Sequence, residues 1–268
     1  PALWHFTRVE PEWRLDMLDI GHGLAVVISR NGHALVYDTG NRWPGGSAAG
    51  QTLLPWLRWH GLTVDEIIIS HQHLDHSGGL ADMQRAWPGA IVRSALAVAG
   101  HQPCMAGERW QWQQLNVAAL WPLAINAYGN NNDSCVLRID DGRYRLLLTG
   151  DTEASAEKAL LRRDRLALRA DIIQVPHHGS NTSSTAALLR NVKGSLALAS
   201  VARYNAWRLP SAQVIGRYRK NGYLWRDTAR SGQLSVRFYR DGWQVKGLRE
   251  QIMSRWYHQW FGVQRESR

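Results

Sequence analysis

Cysteine is nearly absent. Cys104 and Cys135 are the two in 268 residues, too few for a disulfide framework and without the spacing of a cysteine metal motif. Cys135 stands in a strand-like run, which predicts a small buried apolar side chain. Long apolar stretches are also missing, and runs such as Ala95–Ala99 fall far short of the roughly 20 residues a membrane span needs. No signal-peptide pattern opens the chain, which begins with Pro1 rather than Met, so a domain excised from a longer protein is expected. Repeats and low-complexity segments are absent too, and an apolar fraction of 44% excludes wholesale disorder. What remains has length enough to bury a sizeable core. No clear linker divides it, and residues 1–268 are read as a single domain.

Positive charge is in excess, and its position is uneven. The formal net charge is +10, and residues 203–268 hold 14 Lys+Arg against 4 Asp+Glu, so the whole excess sits in the last quarter. The same quarter carries Trp207, Trp225, Trp243, Trp256, Trp260 and five of the eight tyrosines. Basic and aromatic side chains interleaved in this way suit a polyanion whose bases can stack. Lysine contributes there only at Lys220 and Lys246. Arginine grips phosphate bidentately and stacks on bases, which favours nucleic acid over simple solubility. The plainer account is a solvated basic face with tryptophans in the core, in a chain whose arginine content follows genomic composition.

Short apolar runs alternate with helical patterns along the chain. Strands are predicted at Arg14–Ile20, Ala25–Ser29, Ala34–Tyr37, Ile67–Ser70, Cys135–Ile139, Arg143–Thr149, Asp171–Val175, Leu196–Ser200, Leu234–Tyr239 and around Trp243. Asn31-Gly32, Asp141-Gly142 and Asp241-Gly242 are hairpin turn signals. Helices are predicted over Gln51–His60, Gly79–Trp87, Thr152–Arg163 after Asp151, Ser183–Asn191, Ser211–Asn221 and Arg249–Phe261, with Ser183 and Ser211 as N-caps. The alternation indicates a layered α/β fold.

The densest chemistry lies in Ser70-His71-Gln72-His73-Leu74-Asp75-His76-Ser77-Gly78-Gly79. Three imidazoles and a carboxylate fall within six positions directly after an apolar strand. A helix would spread them around its circumference, and a strand would divide them between two faces; a tight loop at a strand end can aim all four into one cleft. Neutral imidazole and ionised carboxylate are ligands that zinc or manganese accepts. Crowded together without a cation they would be an electrostatic burden. Three further strands end in polar residues beside a glycine, at Asp38-Thr39-Gly40, at Thr149-Gly150-Asp151, and at Pro176-His177-His178-Gly179-Ser180. Taken singly, Asp38 and Asp151 would be caps or turn formers. Ligands gather at strand ends in open α/β sheets, so one shared metal site explains all four segments better. His22, in Gly21-His22-Gly23, is a weaker candidate for the edge of that site.

The ordered set Asp38-Thr39-Gly40, His71-x-His73-x-Asp75-His76, Thr149-Gly150-Asp151 and Pro176-His177-His178-Gly179-Ser180 resembles the metallo-β-lactamase superfamily. With Leu18-Asp19-Ile20-Gly21-His22-Gly23 near the start, it is similar to the soluble C-terminal domain of the ComEC family, membrane channels for DNA uptake in natural competence. The resemblance runs from about Arg14 to about Leu234 and implies an αββα sandwich of two mixed sheets flanked by helices. It implies that His71 and His73 hold one divalent ion and Asp75 and His76 a second, with Asp151 bridging them. Pro176-His177-His178-Gly179 matches the superfamily's Pro-Gly-His-Gly, which makes His178 the last ligand. His177 is left to face the substrate, as a phosphate contact or a proton donor. Asp38 would orient a ligating histidine. Asn132, Asp133 and Ser134 stand near the place of the superfamily's third histidine for the first metal, and Asn132 and Ser134 are expected to support the ligands. The sequence also departs from the family at His73 and Leu24, where relatives often carry Asp, and a histidine often found before the late proline is absent from Asn205-Ala206-Trp207-Arg208-Leu209-Pro210.

The implied activity is that of a two-metal phosphodiesterase, in which the cations activate water and neutralise phosphate charge. Asp75, Asp151 and His177 are the residues expected to act in it. The resemblance implies degradation of the DNA strand that is not transported, on the outer side of the inner membrane, facing the periplasm in a Gram-negative cell. The expected partners are DNA, single-stranded or a duplex being unwound, and the membrane channel of the same parent protein. Two divalent ions and no organic cofactor are expected. Ser180, Arg217, Arg219 and Arg226 are assigned to the DNA side, the three arginines as exposed residues. Two alternatives belong to other classes: a metal hydrolase of small esters or lactams on the same fold, and a DNA-binding module with a vestigial metal site.

Overall fold

Valine, isoleucine and leucine at successive strand positions face two different apolar surroundings, and that alternation builds four layers. A computed structural model describes residues 9–255, 257 and 258. Strands β1 (Trp13–Met17), β2 (Val26–Arg30) and β3 (His33–Tyr37) run antiparallel. A small ribbon, β4 (Arg42–Trp43) and β5 (Gly46–Ser47), and helix α1 (Leu54–Trp59) come before β6 (Thr63–Ile69), which pairs parallel with β3. Helices α2 (Leu74–Ser77) and α3 (Leu80–Ala86) lead to β7 (Ile91–Ser94) and β8 (Gln102–Pro103), which continue the parallel half. The second sheet opens with β9 (Arg109–Trp112), β10 (Leu115–Trp121), β11 (Val136–Asp140) and β12 (Arg145–Leu148), all antiparallel neighbours. After α4 (Ala154–Arg163) it turns parallel, with β13 (Ile172–Gln174), α5 (Ala186–Val192), β14 (Leu196–Ala199), α6 (Ala212–Lys220) and β15 (Leu224–Asp227) in alternation. Helix α7 (Thr228–Ser231) returns the chain to the first sheet as the hairpin β16 (Leu234–Tyr239) and β17 (Gly242–Gly247). The sheet orders are β17-β16-β1-β2-β3-β6-β7-β8 and β15-β14-β13-β12-β11-β10-β9.

Between the sheets, Leu15, Ile28, Leu35, Tyr37 and Ile68 of the first meet Leu137, Leu146, Leu148, Ile172 and Leu198 of the second. The intervening residues point outward. Val36, Ile67 and Ile69 bury under Leu53, Leu57 and Met83, while Leu147, Ile173 and Ala197 bury under Leu160, Leu188 and Tyr218. Period-two side-chain direction with both faces apolar is what a sheet covered by helices requires. The fold is therefore the expected αββα sandwich of two mixed sheets. Among the described residues no helix is long and apolar enough to cross a membrane.

Where sequence and structure differ, the causes are local. Asn31 and Gly32 take φ of 54° and 77° as the β2–β3 turn signal requires. Gln113 and Gln114 do the same, at 47° and 62°, without any turn residue to announce them, and so β9 and β10 were not expected. β15 was not expected either; like β9 it is an outermost strand, and exposed or half-buried positions break its apolar run. Asp151 is followed by a turn, and α4 begins at Ala154. Ser183 does not cap a helix: the α5 cap is Thr185, whose Oγ1 accepts from Leu188 N. Ser211 does stand at the N-cap of α6, but its Oγ donates to Asn181 Oδ1 and makes no bond to the helix. The helix expected over Arg249–Phe261 is a single wide turn at Leu248–Ile252, and Trp256 and residues 259–261 lie outside the described residues.

The expectation for cysteine is corrected. Cys104 and Cys135 are both buried and form a disulfide, with Cα atoms 5.8 Å apart. Cys104 N donates to Ser94 O on the β7–β8 side, and Cys135 N to Ser70 O on entry to β11, so the bond staples one sheet to the other. Tertiary packing, not spacing along the chain, brings the two together. A crosslink closing 31 residues of chain stabilises by about 2–4 kcal/mol, chiefly by restricting the unfolded state. Cys135→Ala is expected to lose that amount in denaturant unfolding. Reductant should destabilise the parent to the same level and leave the variant unmoved; a variant still sensitive to reductant would contradict the pairing.

Candidate metal centre

The parallel halves of both sheets deliver their C-terminal ends to one pole of the sandwich. β3 leads into Asp38, β6 into Ser70-His71, β12 into Thr149-Gly150-Asp151, β13 by way of Val175 into Pro176-His177-His178, and β14 into Ser200. Residue types at these ends set the local geometry. Asp38, His177 and His178 adopt φ of 63°, 48° and 52°, so the chain doubles back as soon as each strand stops. Gln174, a lone amide in an apolar run, holds the neighbouring strand end: its Oε1 accepts from Thr149 N and Gly150 N at 2.8 and 2.9 Å, and its Nε2 donates to Gly150 O. Gly23 lets the early loop approach, because a Cβ there would lie 2.3 Å from Asp75 O.

One ligand atom from each of Asp75, His76, Asp151 and His178 lies within 4.8 Å of every other. His71 Nε2 comes to 3.9 Å from Asp151 Oδ2. Behind these atoms the three buried histidines are held in the same way. His76 Nδ1 donates to Asp38 Oδ2 at 2.7 Å, and His178 Nδ1 to Ser200 O at 2.9 Å. Ser70 Oγ donates to Asp38 Oδ2, and so accepts from His71 Nδ1 at 2.9 Å. Each ring thus spends Nδ1–H on the scaffold and turns Nε2 toward the cluster, the arrangement that fixes tautomer and aim in ligating histidines. His71 Nε2 and Asp151 Oδ1 are buried without a hydrogen-bond partner, and His178 Nε2 faces carboxylate oxygens, Asp75 Oδ2 at 3.3 Å and Asp151 Oδ2 at 3.5 Å. Buried polar atoms are seldom left so, and two orphaned ligand atoms beside a pair of carboxylates fit a cation.

Charge tells the same story. Burial first, and the His76 charge next, lower His71 to about 2. Burial also works against His76 and His178, but the Asp151 carboxylate reverses it, raising His76 well above its ordinary value and His178 to about 9. Burial would raise both carboxylates. Instead, the His76 charge first and His178 next hold Asp151 well below the carboxylate range, and hydrogen bonds from His178, His22 and His76 do the same for Asp75. The carboxylates that retain protons on these rings are those that would retain a divalent ion in their place.

The remaining expected residues divide. Ser134 Oγ accepts from Asp151 N at 3.1 Å and lies 3.4 Å from His71 Nδ1, beside the ligands. Asn132 does not reach them; its side chain brackets Glu153, accepting from its N and donating to its Oε2. His73 is exposed, its ring 4.6 Å from that of His71. His177 stands at the rim with Nδ1 3.1 Å from Thr182 Oγ1 and 3.4 Å from Glu153 Oε1, and Ser180 bonds the same Thr182 hydroxyl. His22 Nε2 lies 3.1 Å from Asp75 Oδ2, so the weaker candidate does join the edge of the site. Of the three arginines expected to be exposed, only Arg219 is. Arg217 donates to Ser183 O and Ser184 O, and Arg226 pairs with Glu250 at 2.7 Å, because helical spacing says nothing of which acceptors a neighbouring element presents. Between α5 and α6 runs a groove of about 600 Å³ lined by Arg190, Gln213, Gly216, Arg217 and Lys220, with no acidic side chain. Sequence reasoning missed Ser70 and Gln174, for which a polar residue at an apolar strand end was the available signal, and missed Arg190, which carries none.

A family model described as the metallo-beta-lactamase superfamily matches residues 18–201. Uncharacterized protein YcaI of Escherichia coli strain K12 is 53% identical over 97% of this chain and 34% of its own length. Recombination protein 2 of Haemophilus influenzae is 36% identical over 96% of this chain and 33% of its own length. Competence protein ComA of Neisseria gonorrhoeae is 32% identical over 90% of this chain and 34% of its own length. The chain thus spans about a third of the length of these relatives. The metallo-beta-lactamase fold protein YhfI of Bacillus subtilis shares the fold, with a TM-score of 0.50 at 12% identity over 80% of this chain and 95% of that one.

The paired histidines are separable by experiment. His178→Ala removes an Nε2 aimed into the cluster and is expected to lose bound zinc or manganese. His177→Ala removes a rim residue and should keep it. Elemental analysis of the two purified variants distinguishes them, and the opposite pattern would exchange their positions in the site.

Proposed function

This chain belongs to the metallo-β-lactamase superfamily as a ComEC-like member, and from that premise we propose a metal-dependent phosphodiesterase that degrades one strand of DNA during uptake. Convergence of three imidazole Nε2 atoms on Asp75 and Asp151 carries the metal-hydrolase part of this reading. His71, His73, Asp75, His76, Asp151 and His178 would hold two zinc or manganese ions, with Asp151 shared. Such ions, when bound, activate water and neutralise the nonbridging oxygens of a phosphodiester. Asp38 and Ser70 keep the rings of His76 and His71 aimed, and Ser134 steadies the Asp151 backbone. Burial lowers His177, so its neutral ring suits a hydrogen bond to a phosphate oxygen better than proton donation.

Nucleic acid as substrate draws support from the α5–α6 groove, which starts beside the site. The β14–α6 loop is tied to the His177-His178 turn through Ser211 N and Gly179 O, and Arg190 and Lys220 are exposed along the groove. The names of the relatives, one a recombination and one a competence protein, agree with a role in DNA uptake, with the remainder of a parent protein as the channel. The Cys104–Cys135 disulfide suits an oxidising compartment, in keeping with the periplasmic face of an inner membrane.

Manganese- or zinc-loaded protein should cut linear DNA, and Asp151→Ala should abolish cutting while lowering metal content. Full cleavage by the variant, or hydrolysis of lactams and thioesters with DNA left intact, would overturn the assignment. The groove makes a separate prediction. On single strands the slope of log affinity against log salt is about 0.7 per phosphate contact, so the double variant Arg190→Ala, Lys220→Ala should shallow it by about 1.4. An unchanged slope would mean that the strand takes another path.

A further inference from the structure

Beside the metal centre, the loop between β14 and α6 holds two large aromatic rings in solvent. Tyr204 is 88% exposed and Trp207 is 63% exposed. Exposure here does not come from a loose chain. Asn205 crosses the loop, its Nδ2 donating to Ala202 O and Leu209 O at 3.0 and 2.7 Å and its Oδ1 accepting from Leu209 N at 2.8 Å. Arg208 N donates to Asn205 O, and the far end is tied through Ser211 N to Gly179 O.

Among the described residues, one ring backs the indole. Trp207 stacks on His22 with ring centroids 4.4 Å apart and planes 23° from parallel. His22 in turn lies 3.1 Å from Asp75 Oδ2, and its ring is 4.9 Å from that of His178. A chain of ring contacts therefore runs from the His178 ring, tilted at 46°, through His22 to Trp207, and ends at an indole open to solvent. A tryptophan whose task was to cover His22 would be buried. Cations stand on either side: the Arg203 guanidinium lies over the Tyr204 ring at 5.6 Å, and Arg208 is exposed next to Trp207. Exposed aromatic rings flanked by arginines, on a pinned loop one side chain from a phosphoryl-handling site, match the chemistry of an unpaired nucleobase and its phosphates.

We propose that Trp207, backed by His22, is the platform on which the base beside the scissile phosphate of single-stranded DNA stacks. Tyr204 offers a second ring, and Arg203 and Arg208 take flanking phosphates. The inference rests on DNA being the substrate class. Every base has a π-face, so the platform is sequence-tolerant, and a base paired within a duplex cannot reach it. Trp207 is on this account a positioning residue, which acts by seating the nucleotide.

The test is fluorescence anisotropy in EDTA, so that no strand is cut, with labelled oligothymidylate and an abasic oligomer of equal length. The parent should bind both, oligothymidylate more tightly. Trp207→Ala should weaken oligothymidylate binding by about 10-fold or more and leave abasic binding unchanged, and Trp207→Phe should retain most of the difference. Unchanged abasic binding also reports that the variant is folded. Equal losses on both oligomers, or no loss on either, with a parent that binds both, would overturn the platform alone. A parent that binds neither would remove the nucleic-acid reading, and the platform with it.

Discussion

Asp75 and Asp151 share a site from which water is largely excluded, and most of the surrounding architecture answers to that. Their side chains are 17% and 4% exposed, and unopposed charges so placed would be protonated or would destabilise the fold. His76 and His178 oppose them directly, both drawn upward by Asp151. Those rings need fixing in turn, which explains the buried Asp38 behind His76 and the Ser200 carbonyl behind His178. The same requirement reaches outward to Gln174, whose amide holds the turn that aims Asp151.

The scaffold can meet this demand because each sheet is half parallel. Antiparallel neighbours would deliver alternate strand ends to opposite poles. The parallel runs β3-β6 and β12-β13-β14 deliver five C-terminal ends to one. Helices between the parallel strands then cover the outer faces, so strands such as β6 and β14 are apolar on both sides. The cluster residues therefore follow directly on buried strands, whereas His22 and Trp207 come from loops around them.

Much of the centre was legible because strand ends carry their chemistry contiguously: His71, Asp75 and His76 fall within one turn, and Asp38, Asp151 and His178 each follow an apolar run. A layered α/β class followed from the same runs, and the αββα sandwich from the family resemblance that the strand ends carry. Features fixed by long-range packing were not legible. Cys104 and Cys135 carry no local sign that two sheets will meet between them. The β9–β10 turn uses two glutamines where glycine or asparagine would have announced it. Side-chain partners were equally hidden, so Arg217 and Arg226 bind acceptors inside the protein while Arg190, which no pattern marked, lines the groove in solvent. Composition located an excess of positive charge in the last quarter, but not which of its members face solvent.

Three residues of the centre, Asp38, His177 and His178, are held in left-handed backbone conformations without being glycine. For an L-residue such a conformation costs about 1–2 kcal/mol, and the neighbouring hydrogen bonds must sustain it. Glycine at those positions would relax the chain but would remove the side chains that the turns exist to present. The pole that carries the cluster thus holds backbone strain that its side chains require. A variant selected only for thermal resilience would be drawn toward substitutions there that erase its activity, so that endurance and competence pull this fold in opposite directions.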